Sequence, residues 1–202
     1  MLTIALPKGR IAEETLDKFE KAFGEKFIFE NRKLILEKSG FKFLNVRNQD
    51  VPTYVMHGAA DLGVVGLDVL EEKEYDLIKL LDLQLGKCKV AFGLRAGEQL
   101  DFSKSKITVA TKHEKIAKKF FEQKAMAVDI IKLYGSIELA PLVGLCDCIV
   151  DIVETGETMK QNGLEIGPTI MESSAHLIAN KNSFYAKKDL ILDLKEKIEA
   201  FI

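Results

Sequence analysis

The sequence has few cysteines, no surplus of one charge and no long apolar run. Its three cysteines, Cys88, Cys146 and Cys148, lack CxxC spacing, which argues against a disulfide framework or a structural zinc site. A formal net charge of -2 over 202 residues gives no reason to expect a protein that binds nucleic acid or a membrane surface. No apolar run is long enough to span a bilayer, and the N-terminus (MLTIALPKGR) does not resemble a secretion signal. We therefore expect a reduced, cytoplasmic protein.

Two common nucleotide-binding motifs are also absent. There is no GxGxxG, so a dinucleotide-binding fold has no support, and no Walker lysine, so a P-loop nucleotidase is not expected. Because the overall charge is close to neutral, an anionic substrate must be held by local cations and backbone dipoles.

Short apolar runs alternate with amphipathic segments along the chain, which predicts an α/β fold. The predicted strands cover residues 2–6, 34–36, 41–46, 62–65, 77–81, 89–94, 107–110, 128–132, 148–153, 166–171 and 175–179. The predicted helices cover residues 11–23, about 51–57, 113–122, 157–162 and 187–201. One α/β cycle ends near Leu85 and another starts after Gly97, which allows a chain with two lobes.

The most informative segment is the turn Thr155-Gly156-Glu157-Thr158, between a predicted strand and a predicted helix. Gly156 lets the backbone approach a ligand, free N–H groups at the helix start point at its oxygens, and the hydroxyls of Thr155 and Thr158 can donate further hydrogen bonds. This arrangement predicts a site for a phosphate monoester. The alternative is an ordinary turn with a threonine or glutamate cap, and Glu157 favours it, because a carboxylate there must turn away from a phosphate.

Two carboxylates, Asp151 and Glu154, stand just before this turn. There they could accept hydrogen bonds from ribose hydroxyls or hold a hydrated magnesium ion. The sequence leaves both possibilities open.

Several segments together resemble one known family, the ATP phosphoribosyltransferases. The signature is carried by Glu138-Leu-Ala-Pro-Leu-Val-Gly144, Asp151-Ile-Val-Glu-Thr-Gly-Glu-Thr-Met159 and Asn162-Gly-Leu164. Further segments resemble the family in order: Leu6-Pro-Lys-Gly-Arg10, Asn31-Arg-Lys-Leu34, Val46-Arg-Asn-Gln-Asp-Val-Pro52 and His57-Gly-Ala-Ala-Asp-Leu-Gly-Val-Val-Gly-Leu-Asp68. The resemblance runs from residue 2 to about residue 180.

The resemblance implies a reaction and a fold. N1 of the adenine of ATP displaces pyrophosphate from C1 of phosphoribosyl pyrophosphate, giving N1-(5-phosphoribosyl)-ATP in the first step of histidine biosynthesis. The implied fold is a two-lobed, periplasmic-binding-protein-like (type II) α/β fold with the active site in the inter-lobe cleft. Lobe 1 would comprise residues 1–88 and 174–202, and lobe 2, residues 89–173, would carry the phosphate turn.

The resemblance also implies partners. The long form of the enzyme has an additional C-terminal regulatory domain, and this chain, ending at Ile202, has no room for one. It therefore resembles the short form, for which we expect a homodimer and a hetero-oligomer with a regulatory subunit similar to histidyl-tRNA synthetase. Magnesium is expected to arrive on the phosphates of the substrates, without a set of metal ligands supplied by the protein.

Cations and positioning should dominate the chemistry. N1 of adenine already carries a lone pair, so the difficulty lies in the departure of a highly charged leaving group and in the oxocarbenium-like centre that this creates. By resemblance, Arg10 and Arg32 are the expected catalytic residues. Phosphoribosyl pyrophosphate is expected to contact Glu138, Asp151, Glu154, Thr155, Gly156, Glu157 and Thr158, and ATP or pyrophosphate to contact Lys8, Gly9, Arg47, Asp61, Gly63 and Gly66.

Each of these assignments has a plainer alternative. The cations could be solvated surface charges, Asp61 and Asp68 could serve turns and caps, and His57, His113 and His176 read as structural or surface residues. A solute-binding module of the same fold is one rival function, although it has no need of a ribose-phosphate site. A phosphoribosyltransferase acting on a purine base is another, but such enzymes usually carry two adjacent acids before the turn, and here Ile152 follows Asp151.

Overall fold

The computed structural model describes all 202 residues as an alternation of nine strands and eight helices, which confirms the predicted α/β class. The chain divides into two compact units. Unit 1 contains Met1–Gly86 and Ser174–Ile202, and unit 2 contains Lys87–Ser173. None of the helices has the length and hydrophobicity needed to cross a membrane.

Unit 1 is built around the parallel strands β1 (Leu2–Pro7), β3 (Phe41–Val46) and β4 (Leu62–Gly66). Strand β2 (Ile35–Lys38) pairs antiparallel with β3, and the C-terminal part of β9 (Leu164–Ala179) pairs antiparallel with β4. The helices of this unit are α1 (Arg10–Phe23), α2 (Val51–Met56), α3 (Leu67–Lys73), α7 (Lys181–Ala186) and α8 (Lys188–Glu199).

Helix α1 shows why these residues fold as they do. Ala12, Thr15, Leu16 and Phe19 recur at helical spacing and are buried, while charged side chains occupy the opposite face. The ring of Phe19 meets that of Phe43 edge to face, with centroids 5.0 Å apart. This packing fixes α1 on the sheet, and α1 in turn fixes the loop that precedes it.

Unit 2 contains the C-terminal part of β5 (Ile78–Arg95), β6 (Ile107–Thr111), β7 (Val128–Lys132) and β8 (Cys148–Val153). Strand β6 pairs parallel with both β7 and β8, and β8 pairs antiparallel with β5. The helices are α4 (Glu114–Gln123), α5 (Leu139–Leu142) and α6 (Glu157–Gln161). Because β6 and β8 run parallel, the loops that follow them lie at the same edge of the sheet, where α/β folds place ligands.

The structure corrects the predicted elements in two ways. Four predicted strands, 77–81, 89–94, 166–171 and 175–179, are parts of two long strands, β5 and β9. The polar and glycine residues between the apolar runs do not interrupt them, because ladder hydrogen bonds are made by the backbone. Three short helices, α3, α5 and α7, were not predicted, since four to seven residues are too few to establish a helical period.

Candidate functional site

The turn between β8 and α6, where the sequence predicted a phosphate site, contains a glycine in the left-handed conformation. Strand β8 ends at Val153 and α6 begins at Glu157, as the sequence predicted. Gly156 lies between them in the left-handed region, at φ 82° and ψ -1°. A Cβ atom at this position would lie 2.5 Å from Cδ1 of Ile166. Both the backbone conformation and the neighbouring side chain therefore favour glycine here.

This turn borders a cleft of about 290 Å³ within unit 2. Six of the residues predicted to bind phosphoribosyl pyrophosphate line it together: Glu138, Asp151, Glu154, Thr155, Gly156 and Thr158. The hydroxyl oxygen of Thr155 accepts a 3.3 Å hydrogen bond from the backbone N–H of Glu157, so its own proton is available to a ligand. The structure thus brings together residues that lie between positions 138 and 158 of the sequence.

Glu157 belongs to the turn but does not line the cleft. Its carboxylate accepts a 3.1 Å hydrogen bond from the side-chain amide of Gln161, one helical turn further along α6. A carboxylate held there is directed along the helix, which removes the objection that Glu157 raised against an anionic ligand.

One oxygen of Asp151 is held by neighbouring groups. Its Oδ1 atom accepts a 2.8 Å hydrogen bond from the backbone N–H of Ile152 and lies 3.0 Å from Nζ of Lys112. Nε2 of His113 lies 3.8 Å from the same oxygen, and the His113 side chain is only 1% exposed. No protein group donates a hydrogen bond to Oδ2.

Sequence reasoning missed Lys112; His113, which it expected to be structural or on the surface, is buried beside it. The available signal was their position directly after β6, at the carboxyl end of a strand parallel to β8. That signal required the pairing of β6 with β8, which the apolar pattern alone does not give.

The candidate cations lie in unit 1. The backbone N–H of Lys8, just after β1, donates a 2.8 Å hydrogen bond to the carbonyl of Val46, at the end of β3, which brings the segments of Lys8 and Arg47 together. Gly9 adopts φ 96° and ψ -153°, a conformation that is essentially restricted to glycine. Lys8, Arg32 and Arg47 are exposed.

Arg10 and Arg32 come from distant parts of the sequence, but their neighbours share one cleft. Gly9 and Asn31 both line a cavity of about 420 Å³ in unit 1, together with Asn45. The Arg10 side chain is 58% exposed, and its Nε atom lies 3.8 Å from the carboxylate of Glu14. A guanidinium that remains this exposed can still reach a phosphate.

Asp61 and the glycines of β4 have structural contacts inside unit 1. The Asp61 carboxylate accepts a 2.9 Å hydrogen bond from the backbone N–H of Thr3, and each of its oxygens lies 2.8 Å from Nζ of Lys187. A Cβ atom at Gly63 would lie 2.7 Å from a methyl group of Val55 and 2.8 Å from one of Val51. Gly63 therefore makes room for α2.

Gly66 and Asp68 complete the same segment and are buried too. Gly66 is the last residue of β4 and immediately precedes α3. Asp68, in the first turn of α3, is 3% exposed. Neither residue presents a surface comparable to the turn of unit 2.

Cys146 and Cys148 are buried packing residues. Cys148 is fully buried, and burial raises the pKa of its thiol to about 12. Burial also raises the pKa of the Cys146 thiol. Because a nucleophilic cysteine must ionise, neither of these thiols suits covalent catalysis.

Comparison with known proteins shows the family of this chain. A family model described as ATP phosphoribosyltransferase matches residues 47–200. The chain is similar to an ATP phosphoribosyltransferase of Sulfurovum sp. (strain NBC37-1), with 68% identity over 202 residues, covering 100% of this chain and 98% of that relative. It is also similar to an ATP phosphoribosyltransferase of Wolinella succinogenes, with 69% identity over 197 residues, covering 98% of this chain and 96% of that relative.

Solved structures show the same similarity. The ATP phosphoribosyl transferase (HisG:HisZ) complex from Thermotoga maritima contains a chain with 36% identity and a TM-score of 0.85, covering 99% of this chain and 98% of that one. The substrate binding protein of an amino acid ABC transporter has a TM-score of 0.61 at 13% identity, covering 98% of this chain and 91% of that one. This second similarity concerns the fold alone, and it confirms the expected periplasmic-binding-protein-like architecture.

Proposed function

Because the chain belongs to the ATP phosphoribosyltransferase family, we propose that it joins ATP to phosphoribosyl pyrophosphate in the first step of histidine biosynthesis. N1 of adenine attacks C1 of the ribose, the C1–O bond to the diphosphate breaks, and inorganic pyrophosphate leaves with the electron pair of that bond. The products are N1-(5-phosphoribosyl)-ATP and pyrophosphate.

The observation that carries the proposal is the turn at residues 155–158. Gly156, in the left-handed conformation, and the two threonines Thr155 and Thr158 line a cleft in unit 2 where α6 begins. This set of donors fits the 5′-phosphate of the sugar. With the phosphate there, Asp151 and Glu138 are the acids in the same cleft that can receive the ribose hydroxyls.

The cations of unit 1 serve the leaving group and ATP. Arg10 and Arg32 are assigned to the developing charge of pyrophosphate, because a guanidinium fork matches phosphate oxygens in two hydrogen bonds. Lys8 and Arg47 follow neighbouring parallel strands and supply further positive charge to the same edge of the sheet. Gly9 gives the loop the conformation that places Arg10 at the start of α1.

Magnesium fits this scheme as an ion carried by the substrate phosphates. No three side chains among histidine, cysteine, aspartate and glutamate are grouped closely enough to form a metal site of their own. Glu154 is exposed at the rim of the cleft and presents the hard oxygen that a hydrated magnesium ion prefers. When bound, the ion would neutralise charge on the diphosphate.

The assembly is part of the proposal. The Thermotoga maritima structure is a HisG:HisZ complex, and on that likeness we assign this chain a hetero-oligomer with a regulatory subunit similar to histidyl-tRNA synthetase, built on a homodimer. The cytoplasmic location expected from the sequence stays a prediction.

The test of the proposed function is direct. The purified protein, with magnesium, ATP and phosphoribosyl pyrophosphate, should produce the ultraviolet chromophore of N1-(5-phosphoribosyl)-ATP. Adding the regulatory subunit should preserve or raise the rate. Absence of the chromophore with and without that subunit would overturn the assignment.

A matched pair of variants tests the assigned role of Arg32. Arg32→Ala should lower turnover tenfold or more, about 1.4 kcal/mol of barrier. Lys33→Ala removes the neighbouring exposed charge, which pairs with Glu30 at 2.7 Å, and should leave turnover unchanged. If both variants retained full turnover while folded, Arg32 would have no catalytic role.

A further inference from the structure

The Asp151 carboxylate is held from one side only. Oδ1 has two partners, Nζ of Lys112 at 3.0 Å and the N–H of Ile152 at 2.8 Å, and the imidazole of His113 lies beyond hydrogen-bond distance of the same atom. With Oδ1 fixed in this way, rotation of the carboxylate is restricted. The second oxygen, Oδ2, has no protein donor and belongs to a residue that lines the cleft of the phosphate turn.

The segment that carries Lys112 is itself fastened to β8. The hydroxyl of Thr111 donates a 2.6 Å hydrogen bond to the carbonyl of Val150, and the same oxygen accepts a 2.8 Å hydrogen bond from the N–H of His113. Thr111 is fully buried, and His113 nearly so. The backbone that carries Lys112 is therefore fixed relative to β8. This is needed if Lys112 is to fix the orientation of the Asp151 carboxylate.

Stability does not account for the pair. The Lys112 side chain is 39% exposed, and ion pairs as open to solvent as this one contribute little to the free energy of folding. Lys112 does not itself line the cleft, whereas Asp151 does, so the contact with Asp151 is the route by which Lys112 can act on a ligand there.

We infer that Lys112 is a positioning residue, which holds Oδ1 of Asp151 so that Oδ2 is presented to a ribose hydroxyl of the sugar-phosphate substrate. The inference rests on the proposed function, because it takes the turn at 155–158 as the phosphate site. It assigns Lys112 an action through Asp151 and no direct contact with the phosphate.

Two ligands distinguish a lysine that acts through Asp151 from one that contacts the phosphate directly. Ribose 5-phosphate offers both the phosphate and the ring hydroxyls, whereas inorganic phosphate offers only the former. Binding of each would be measured by calorimetry on the full chain for the wild type, Lys112→Met, Lys112→Arg and the control Lys118→Met. Lys118 is an exposed residue of α4, 67% exposed and 3.9 Å from Glu122, away from the cleft.

The expected result is selective. Lys112→Met should bind ribose 5-phosphate about tenfold more weakly, equivalent to about 1.4 kcal/mol, and inorganic phosphate within about twofold of the wild type. Lys112→Arg should recover most of the loss, and Lys118→Met should match the wild type. In steady-state kinetics, Lys112→Met should raise the KM for phosphoribosyl pyrophosphate and leave the KM for ATP unchanged, a split that general destabilisation would not produce.

The opposite results are equally clear. An equal loss for both ligands would show that Lys112 attracts the phosphate directly, and unchanged binding of ribose 5-phosphate would show that Asp151 needs no support; either overturns the inference. If the wild type itself bound neither ligand, the phosphate turn and the proposed function would fail instead.

Discussion

Residues 61–68 of unit 1 and residues 151–158 of unit 2 are similar in sequence: each joins a buried strand to a helix and carries acids and glycine at the junction. In the structure, both oxygens of Asp61 are taken by Lys187, and the space beside Gly63 is filled by valines. Asp151 keeps one oxygen without a protein donor, and Gly156 stands beside a cleft. The partners of the carboxylate, and not the residue types, distinguish a packed junction from a ligand site.

Removal of Asp61 should produce the largest loss of stability. Asp61→Ala leaves the N–H of Thr3 and the ammonium of Lys187 without the carboxylate that accepts their hydrogen bonds, and hydrogen bonds to a charged group of this kind should together contribute about 2.5 kcal/mol to the free energy of unfolding. Urea denaturation measures this loss. The matched control is Asp76→Ala, since Asp76 is 74% exposed and pairs with Lys181, and that change should cost no more than about 0.5 kcal/mol.

The same variant, Asp61→Ala, also tests whether residues 61–68 are a packed junction and not a ligand site. If Asp61→Ala stayed as stable as the wild type while the KM for ATP rose, Asp61 would be a ligand group as the sequence resemblance implied. The junction of unit 1 would then be a second site.

A methyl group at Gly63 should have the next largest effect. Gly63→Ala brings a Cβ atom within 2.8 Å of both Val51 and Val55, and overpacking of this kind costs about 2 kcal/mol. Thermal and urea unfolding should show the loss, with turnover per folded molecule unchanged. Gly135→Ala is the control, because nothing lies within 4 Å of a Cβ atom there and its stability should not fall.

Loss of a hydroxyl in the phosphate turn should affect binding and spare stability. Thr158→Val should raise the KM for phosphoribosyl pyrophosphate about tenfold, about 1.4 kcal/mol, because one donor to the phosphate is removed. Thr169→Val, at an exposed threonine of β9 in the same unit, should leave that KM unchanged. Equal kinetics for the two variants would place the phosphate elsewhere.

The smallest expected effect is on the pH dependence of stability, and it is specific to Asp61. Burial alone would raise the pKa of Asp61, but hydrogen bonds from Lys187, Thr3 and Ser183 outweigh it and hold this pKa below its ordinary value. A depressed pKa in the folded state adds stability above the unfolded-state pKa of about 3.9, and this stability is lost as the pH falls through the folded-state value. The free energy of unfolding should therefore decline below about pH 4, and Asp61→Asn should flatten that decline. An unchanged pH profile in Asp61→Asn would contradict the assignment.

Much of the candidate site could be read from the sequence because its signals are local. The end of β8, Gly156 and the start of α6 follow one another within a few residues, and the conformation of that turn is set by glycine itself. The family resemblance then supplied the reaction, which a turn of this kind could not specify.

The misses share one physical cause. Lys112 and Asp151 are distant in the sequence and meet only because β6 pairs parallel with β8. Asp61 and Lys187 are 126 residues apart in the sequence and meet only because the C-terminal segment returns to unit 1. Hydrophobic periodicity predicts each helix or strand separately and does not predict which strands will pair.

The sequence by itself determined the α/β class and the family, and it predicted the phosphate turn, since these depend on short-range patterns and on motifs that stand in order along the chain. Only the tertiary structure decided that Lys187 contacts both oxygens of Asp61, whereas one oxygen of Asp151 has no protein donor. That decision depends on contacts between residues far apart in the chain, and these exist only after the strands have paired.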